Sequence, residues 1–362
     1  MHARGRSGAR RGRGAAVVAC VALVMVLLAA APVEAATGKC FGRTPTIVGT
    51  RGNDKIYGTN GNDVIVGRGG DDIVYGRKGH DRICTRAGDD DVFAGRGNDR
   101  VFAGEWLDKL YGGGGHDLLI SKLAEIPELG YPEYLYGGPG NDTLVGGAGP
   151  DHLFAGAGDD VIRGGGNEDD FFDELLVGGR GNDKMSIDQR ASYPDYYLHL
   201  FVGGPGDDVM SAGEYAGTLD YSTSSVGVEV DLAGGVATGE GTDTFDGIRA
   251  VLGSPHADML RGHERGNSLH GGPGDDRAEG RGGNDFLYGG WSSETFADYR
   301  AYPGEVEDRN AGADVLVGGD GDDALSGQAG DDTLDGGPGT DELDGGDGTD
   351  SCLNGEAVTN CE

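Results

Sequence analysis

A nine-residue period controls what this chain can fold into. Blocks cut from residue 49 read GTRGNDKIY (49–57), GTNGNDVIV (58–66), GRGGDDIVY (67–75) and GRKGHDRIC (76–84), and the register continues without a gap to Ile120. In each of these eight units position six is Asp, and position eight is aliphatic: Ile56, Ile65, Val74, Ile83, Val92, Val101, Leu110 and Leu119. Position four is Gly except where Trp106 stands. The same register returns at 137–163, 178–186, 203–211, 253–288 and 309–353, so the repeat is the fold.

The chemistry of the unit dictates its shape. Glycines at positions one, two and four permit positive φ and close backbone approach, which makes a six-residue turn. The last three positions, mostly polar, apolar, polar, make a short strand with one inward side chain. One aliphatic residue in nine cannot bury itself alone. Stacking two half-turns per coil makes two parallel sheets around a thin core, and it sets each position-six carboxylate above another. Stacked carboxylates repel unless a cation lies between them. Carboxylate and carbonyl oxygens in flexible geometry favour Ca²⁺ over Mg²⁺ or a transition metal.

Composition supports an unusual scaffold. Gly contributes 74 of the 362 residues and Asp plus Glu 62, which disfavours long helices, and the net charge is −33. Nucleic acid and anionic membranes are poor partners for such a surface, and a chain that repels itself stays expanded until cations neutralise it.

The sequence resembles the hemolysin-type calcium-binding, or RTX, nonapeptide-repeat family. GGPGNDTLV (137–145), GGAGPDHLF (146–154), GGRGNDKMS (178–186) and GGDGDDALS (318–326) fit its G-G-x-G-x-D-x-U-x pattern. The resemblance implies an all-β chain, a parallel β-roll solenoid with multiple Ca²⁺ ions held between successive turns. The position-six ligands would be Asp54, Asp63, Asp72, Asp81, Asp90, Asp99, Asp108, Asp117, Asp142, Asp151, Asp160, Asp183 and Asp208 in a first block (49–211). Asp258, Asp276, Asp285, Asp314, Asp323, Asp332, Asp341 and Asp350 would follow in a second (253–353). Residues 212–252, with VGVEVDL at 226–232, resemble the β-rich spacer that separates such blocks. The chain departs from the best-known relatives in having an N-terminal signal and no room for a large toxin or protease region.

That signal occupies residues 1–35. Arg4, Arg6, Arg10, Arg11 and Arg13 precede an apolar run from Ala15 to Pro32, with a cleavage site expected after Ala35. The run approaches membrane-spanning length, but its Ala content and flanks favour cleavage over anchoring, so no stable span is expected afterwards. Removal would leave −37 on the remainder. Residues 36–48 form an N-terminal segment and 354–362 a C-terminal cap. Cys40, Cys84, Cys352 and Cys361 remain, an even count that suits disulfides in an oxidising compartment; we expect Cys40–Cys84 and Cys352–Cys361 as end staples.

Signs of catalysis are few. His263-Glu264 begins a zinc-protease pattern but Asn267 stands where its second His belongs, there is no G-x-S-x-G, and the glycine strings lack the Lys-Ser/Thr and helix of a phosphate loop. Paired Asp residues recur at turn after turn, as cation ligands do and a unique active site does not. No enzyme is expected.

Interruptions of the period carry further information. Enlarged loops at 121–136, 164–177 and 187–202 are half-turns 9, 13 and 15 counted from Gly49, and the Trp106 unit is number 7. All are odd, so they should share one edge of the roll, leaving an unbroken Asp ladder on the even edge and a ladder that thins beyond Asp90 on the odd one. The odd edge would gather Trp106, Tyr131, Tyr134, Phe171, Phe172, Tyr193, Tyr196 and Tyr197, either as a ligand edge or as rings folded over the roll. Calcium binding in a secreted or cell-surface-associated structural or adhesive protein is the leading expectation, with extracellular polysaccharide or a surface protein as partner. The alternative is a Ca²⁺-stabilised carbohydrate-binding or carbohydrate-active protein using that edge.

Overall fold

The computed structural model describes residues 38–121, 132–147, 149–165, 174–187, 199–213, 217–291 and 312–361. Each regular unit places a strand at its last three positions: Lys55–Tyr57, Val64–Val66 and Ile73–Lys78 are the first three complete examples. Strands from successive units alternate between two sheets, one of 15 strands beginning at Lys55–Tyr57 and one of 17 strands beginning at Ile47–Val48. We call these the odd and even sheets, after the half-turns that feed them. Ile56 pairs with Val74 in the odd sheet and Ile65 with Ile83 in the even sheet, a parallel step of two units per coil.

The period survives the interruptions. Leu135 aligns with Leu110 and Leu153, Leu176 with Phe201, so the units numbered 9, 13 and 15 feed the odd sheet as their parity requires. The 289–311 interruption is likewise absorbed, since Ala278 pairs with Leu316. Position eight supplies a single file of buried side chains from Ile56 to Leu343. Such a core is one residue wide per strand, and each coil is stabilised chiefly by its two neighbours.

Residues 217–252 do not interrupt the roll. Gly217–Asp220 and Ile248–Leu252 continue the odd sheet. Glu229–Asp231, Val236–Thr238 and Thr242–Asp246 form an antiparallel excursion inside the even sheet, which otherwise carries parallel neighbours.

Cys40 bonds to Cys84 and Cys352 to Cys361, with Cα separations of 5.7 and 5.8 Å. Cys40 and Cys84 pack with Val66, Phe41, Val64 and Phe102 on the outer face of the even sheet, so the N-terminal staple lies along the flank of the roll.

Candidate metal centre

The carboxylates of position six form two columns, one on each edge. On the even edge the backbone N–H of each Asp donates to Oδ1 of the Asp one coil later. The sequence runs Asp63 to Asp81 (2.8 Å), Asp99, Asp117, Asp142, Asp160, Asp183 and Asp208 without a break. Asp208 then donates to Asp243 at 3.1 Å. On the odd edge the same bond links Asp54, Asp72, Asp90 and Asp108. In the second block one column joins Asp258, Asp276, Asp314, Asp332 and Asp350, and the other joins Asn267, Asp285, Asp323, Asp341 and Glu356.

With Oδ1 committed to the backbone, Oδ2 decides what the columns can hold. In 17 of the 21 expected ligands Oδ2 is buried and receives no hydrogen bond: Asp72, Asp81, Asp90, Asp99, Asp108, Asp117, Asp142, Asp160, Asp183, Asp208, Asp276, Asp285, Asp314, Asp323, Asp332, Asp341 and Asp350. In 13 of the 17 this oxygen lies beside the glycine at position one of its own turn, mostly next to a backbone carbonyl one coil on; for Asp90, Asp99, Asp108 and Asp160 position one is Thr85, Ala94, Ala103 and Ala155. A Cβ on Gly112 would lie 2.6 Å from Asp117 Oδ2 and 2.8 Å from Gly137 O, so the cradle excludes a side chain and lines up hard oxygen donors. Leaving so many buried acceptors unpaired is costly. A row of carboxylate and carbonyl oxygens of this kind fits Ca²⁺.

In eight of these carboxyls burial raises the group far above the ordinary carboxylate range, against the lowering effect of the backbone N–H each accepts, and neighbouring carboxylates raise them further. Asp81 is raised to about 6, Asp90, Asp117, Asp160, Asp208, Asp285 and Asp314 to about 7, and Asp276 to about 8. Without a cation, the folded roll therefore favours protonated carboxyls.

Four expected ligands are satisfied differently. Thr50 and Thr59, at position two, donate their hydroxyls to Asp54 and Asp63 Oδ2 at 2.9 Å, and Ser254 donates to Asp258 Oδ1 at 2.7 Å. Each of these Asp residues stands in an opening turn of its block; at Asp54 and Asp63 a hydroxyl takes the oxygen left open to a cation elsewhere, and at Asp258 the Ser254 backbone N–H takes Oδ2. Asp151 Oδ2 accepts from Gly147 N–H at 2.7 Å.

The odd edge corrects one expectation. The column does not thin beyond Asp90, because Asp108 keeps its orphan Oδ2 and the enlarged turns carry buried Glu133 and Glu174 at position six. The break comes at His199, buried with Nδ1 lacking a hydrogen bond and held neutral by burial that lowers it to about 4. Gly217 and Asn267 continue the column without a carboxylate. Asp243, Glu133, Glu174 and Glu356 escaped notice because only Asp in unbroken register was sought; counting backward from each position-eight residue finds the two Glu residues.

The aromatic edge is also different from expectation. Tyr134 lies in the strand Glu133–Pro139, not in a loop, and meets His152 edge-on at 5.0 Å. Trp106 holds φ at 87° in its turn and is 52% exposed. Tyr131, Phe171, Phe172, Tyr193, Tyr196 and Tyr197 lie outside the described residues. Position nine of the odd units instead forms a ladder that sequence reading overlooked: Tyr57, Tyr75, Phe93, Tyr111, Tyr136 and Phe154, centroids 4.8–5.2 Å apart and planes within 11°. The rings cover one another's faces, the surfaces on which a sugar would stack.

A family model described as the RTX calcium-binding nonapeptide repeat matches residues 48–83, 85–119, 136–171, 261–293, 310–343 and 317–352. The chain belongs to the RTX calcium-binding nonapeptide-repeat family. Its matched segments together span half of the chain and carry most of the column carboxylates; RTX repeats bind calcium, and the buried Asp residues lie within them. No curated protein matched the chain. The RTX roll is a repeat scaffold, and among the described residues of this one the buried Asp Oδ2 recurs in most turns of both blocks.

Proposed function

We propose that this chain is exported, loses residues 1–35 and folds outside the cell on several Ca²⁺ ions into a rigid roll that serves as a structural or adhesive module. The observation that carries the reading is the row of buried, unpaired Asp Oδ2 atoms, which the roll can tolerate only when a cation completes them. Bound calcium supplies charge neutralisation between coils. The chain's own residues supply the rest: position-one glycines open the cradle, backbone N–H groups orient each carboxylate, and position-eight side chains hold the coils in register. Two disulfides suit an oxidising compartment, and the Arg-rich, apolar N-terminus suits export.

Circular dichroism during Ca²⁺ titration, paired with calorimetry, tests the calcium part. Cooperative appearance of β-structure with more than one ion bound per chain is expected; a chain equally β-structured in excess chelator would refute it. Export is tested by N-terminal sequencing of protein recovered from the medium, where Ala36 should be the first residue.

A further inference from the structure

Among the described residues the two ends of the roll are open, and they are chemically opposite. At the head, Ile47–Val48 pairs with Val64–Val66 and Lys55–Tyr57 with Ile73–Lys78; at the tail, Ser351–Leu353 pairs with Thr333–Asp335 and Ala357–Thr359 with Glu342–Asp344. Among the described residues none of these four strands has a partner on its other side. The N-terminal disulfide lies on the flank, and the C-terminal one, tying Cys352 to Cys361 at the tail, leaves Leu353 and Val358 exposed. Half of the exposed large apolar side chains of the described chain sit on these strands: Val48 (46%), Tyr57 (49%), Leu353 (53%) and Val358 (46%). Unprotected edges of this kind are ready templates for pairing.

Charge adds a direction. Residues 38–112 hold 12 Lys and Arg against 11 Asp and Glu, whereas residues 312–361 hold 13 Asp and Glu and no Lys, Arg or His. Setting aside the position-six Asp residues, which face cations, leaves 12 cationic against 4 anionic side chains at the head and none against 8 at the tail. Head repels head and tail repels tail, while head attracts tail.

We propose that the head of one calcium-loaded roll docks on the tail of a second copy, extending both sheets across the junction. Continuing the parallel register sets Leu353 beside the partner's Val48 and Val358 beside the partner's Ile56, so the position-eight file runs through the joint. The contact is heterologous and does not close on itself, so it generates linear filaments. It requires the calcium-folded roll but neither export nor adhesion.

The test uses the full chain in saturating Ca²⁺, by sedimentation velocity over a range of concentrations and negative-stain microscopy. Wild type should form end-to-end rods that shorten as NaCl is added. Val48→Asp at the head or Leu353→Asp at the tail should raise the dissociation constant at least about tenfold, by placing a charge in the joint. Phe286→Asp, on an equally exposed flank residue, should leave association unchanged. An equimolar mixture of the two end variants should give dimers and nothing longer, because one intact head meets one intact tail. Circular dichroism on each sample separates a failed joint from a failed roll. A folded wild type that stays monomeric throughout, or association that is lost on Phe286→Asp but kept by the end variants, would overturn the proposal.

Discussion

The two edges of the roll are built from the same nine-residue unit yet differ in continuity. The even edge runs from Asp63 to Asp243 with Asp at every step, while the odd edge passes through Glu133 and Glu174 and then loses its carboxylate at His199. Loop length alone does not cause this. Asp314 follows the long 289–311 interruption and still receives Asp276 N–H at 2.7 Å, whereas Glu133, Glu174 and His199 each follow an enlarged odd turn in the first block. Insertions are therefore tolerated wherever the position-eight side chain can rejoin its file. The ladder residue changes repeatedly on the odd edge, which takes three enlarged turns in the first block; the even edge keeps Asp across the 289–311 insertion and changes at the antiparallel excursion, where Val228 N–H donates to Asp258.

The largest effect expected is loss of both edges together. Chelating Ca²⁺ at pH 7.5 should abolish most β-structure, read by circular dichroism, because ionised carboxylates would then face one another in a thin core.

Lowering the pH should partly replace the cation. The carboxyls are raised in the folded roll, to between about 6 and about 8 for those named above, while in the unfolded chain they titrate in the ordinary range near 4. Their contribution to the calcium-free roll is thus fully present below the unfolded value and is lost as pH rises through the folded values. Calcium-free protein should gain β-structure between pH 8 and about 4, and Ca²⁺ affinity should move the opposite way. An apo protein that loses structure on acidification would contradict the burial of these groups.

Single carboxylates should then separate the edges. Asp160→Ala removes an orphan oxygen and the acceptor of Asp142 N–H, and should raise the Ca²⁺ folding midpoint severalfold. Glu174→Ala, one coil from the His199 break, should raise it less. Equal shifts would show that Glu carries the ladder as fully as Asp.

The smallest effect is a gain. His199→Asp should lower the midpoint slightly, by extending the odd column one coil past Glu174. A higher midpoint would mean that the neutral imidazole has a role of its own in this turn.

Much of this organisation was legible in the sequence, for a physical reason. Position eight must enter the core and position six must meet its counterpart one coil away, so spacing alone fixes sheet, edge and register. Parity placed the units of 121–136, 164–177 and 187–202 in one sheet. Three features were not legible. The antiparallel excursion breaks the count before Asp243, so its place in the column emerges only from the pairing of Thr244 with Val209. Glu133 and Glu174 share a role with Asp but not its letter. The Tyr57-to-Phe154 ladder lies at position nine, where other units tolerate Val, Cys or Ser, and only the stacking of alternate units brings its rings together.

Each position-six N–H in these columns points toward the C-terminus for its acceptor, which gives the ladder an order in time as well as space. A chain delivered N-terminus first, from ribosome or membrane, always ends its growing roll in a turn whose amide is still unbonded. Each arriving carboxylate completes the coil before it, not its own. Glu356 closes the column of the odd sheet by accepting Asp341 N–H only 15 residues on, in a shortened last step. Truncation there leaves the preceding coil unfinished, so a roll missing a few terminal residues should fray from its tail inward while its opening coils, braced by Thr50 and Thr59, stay intact.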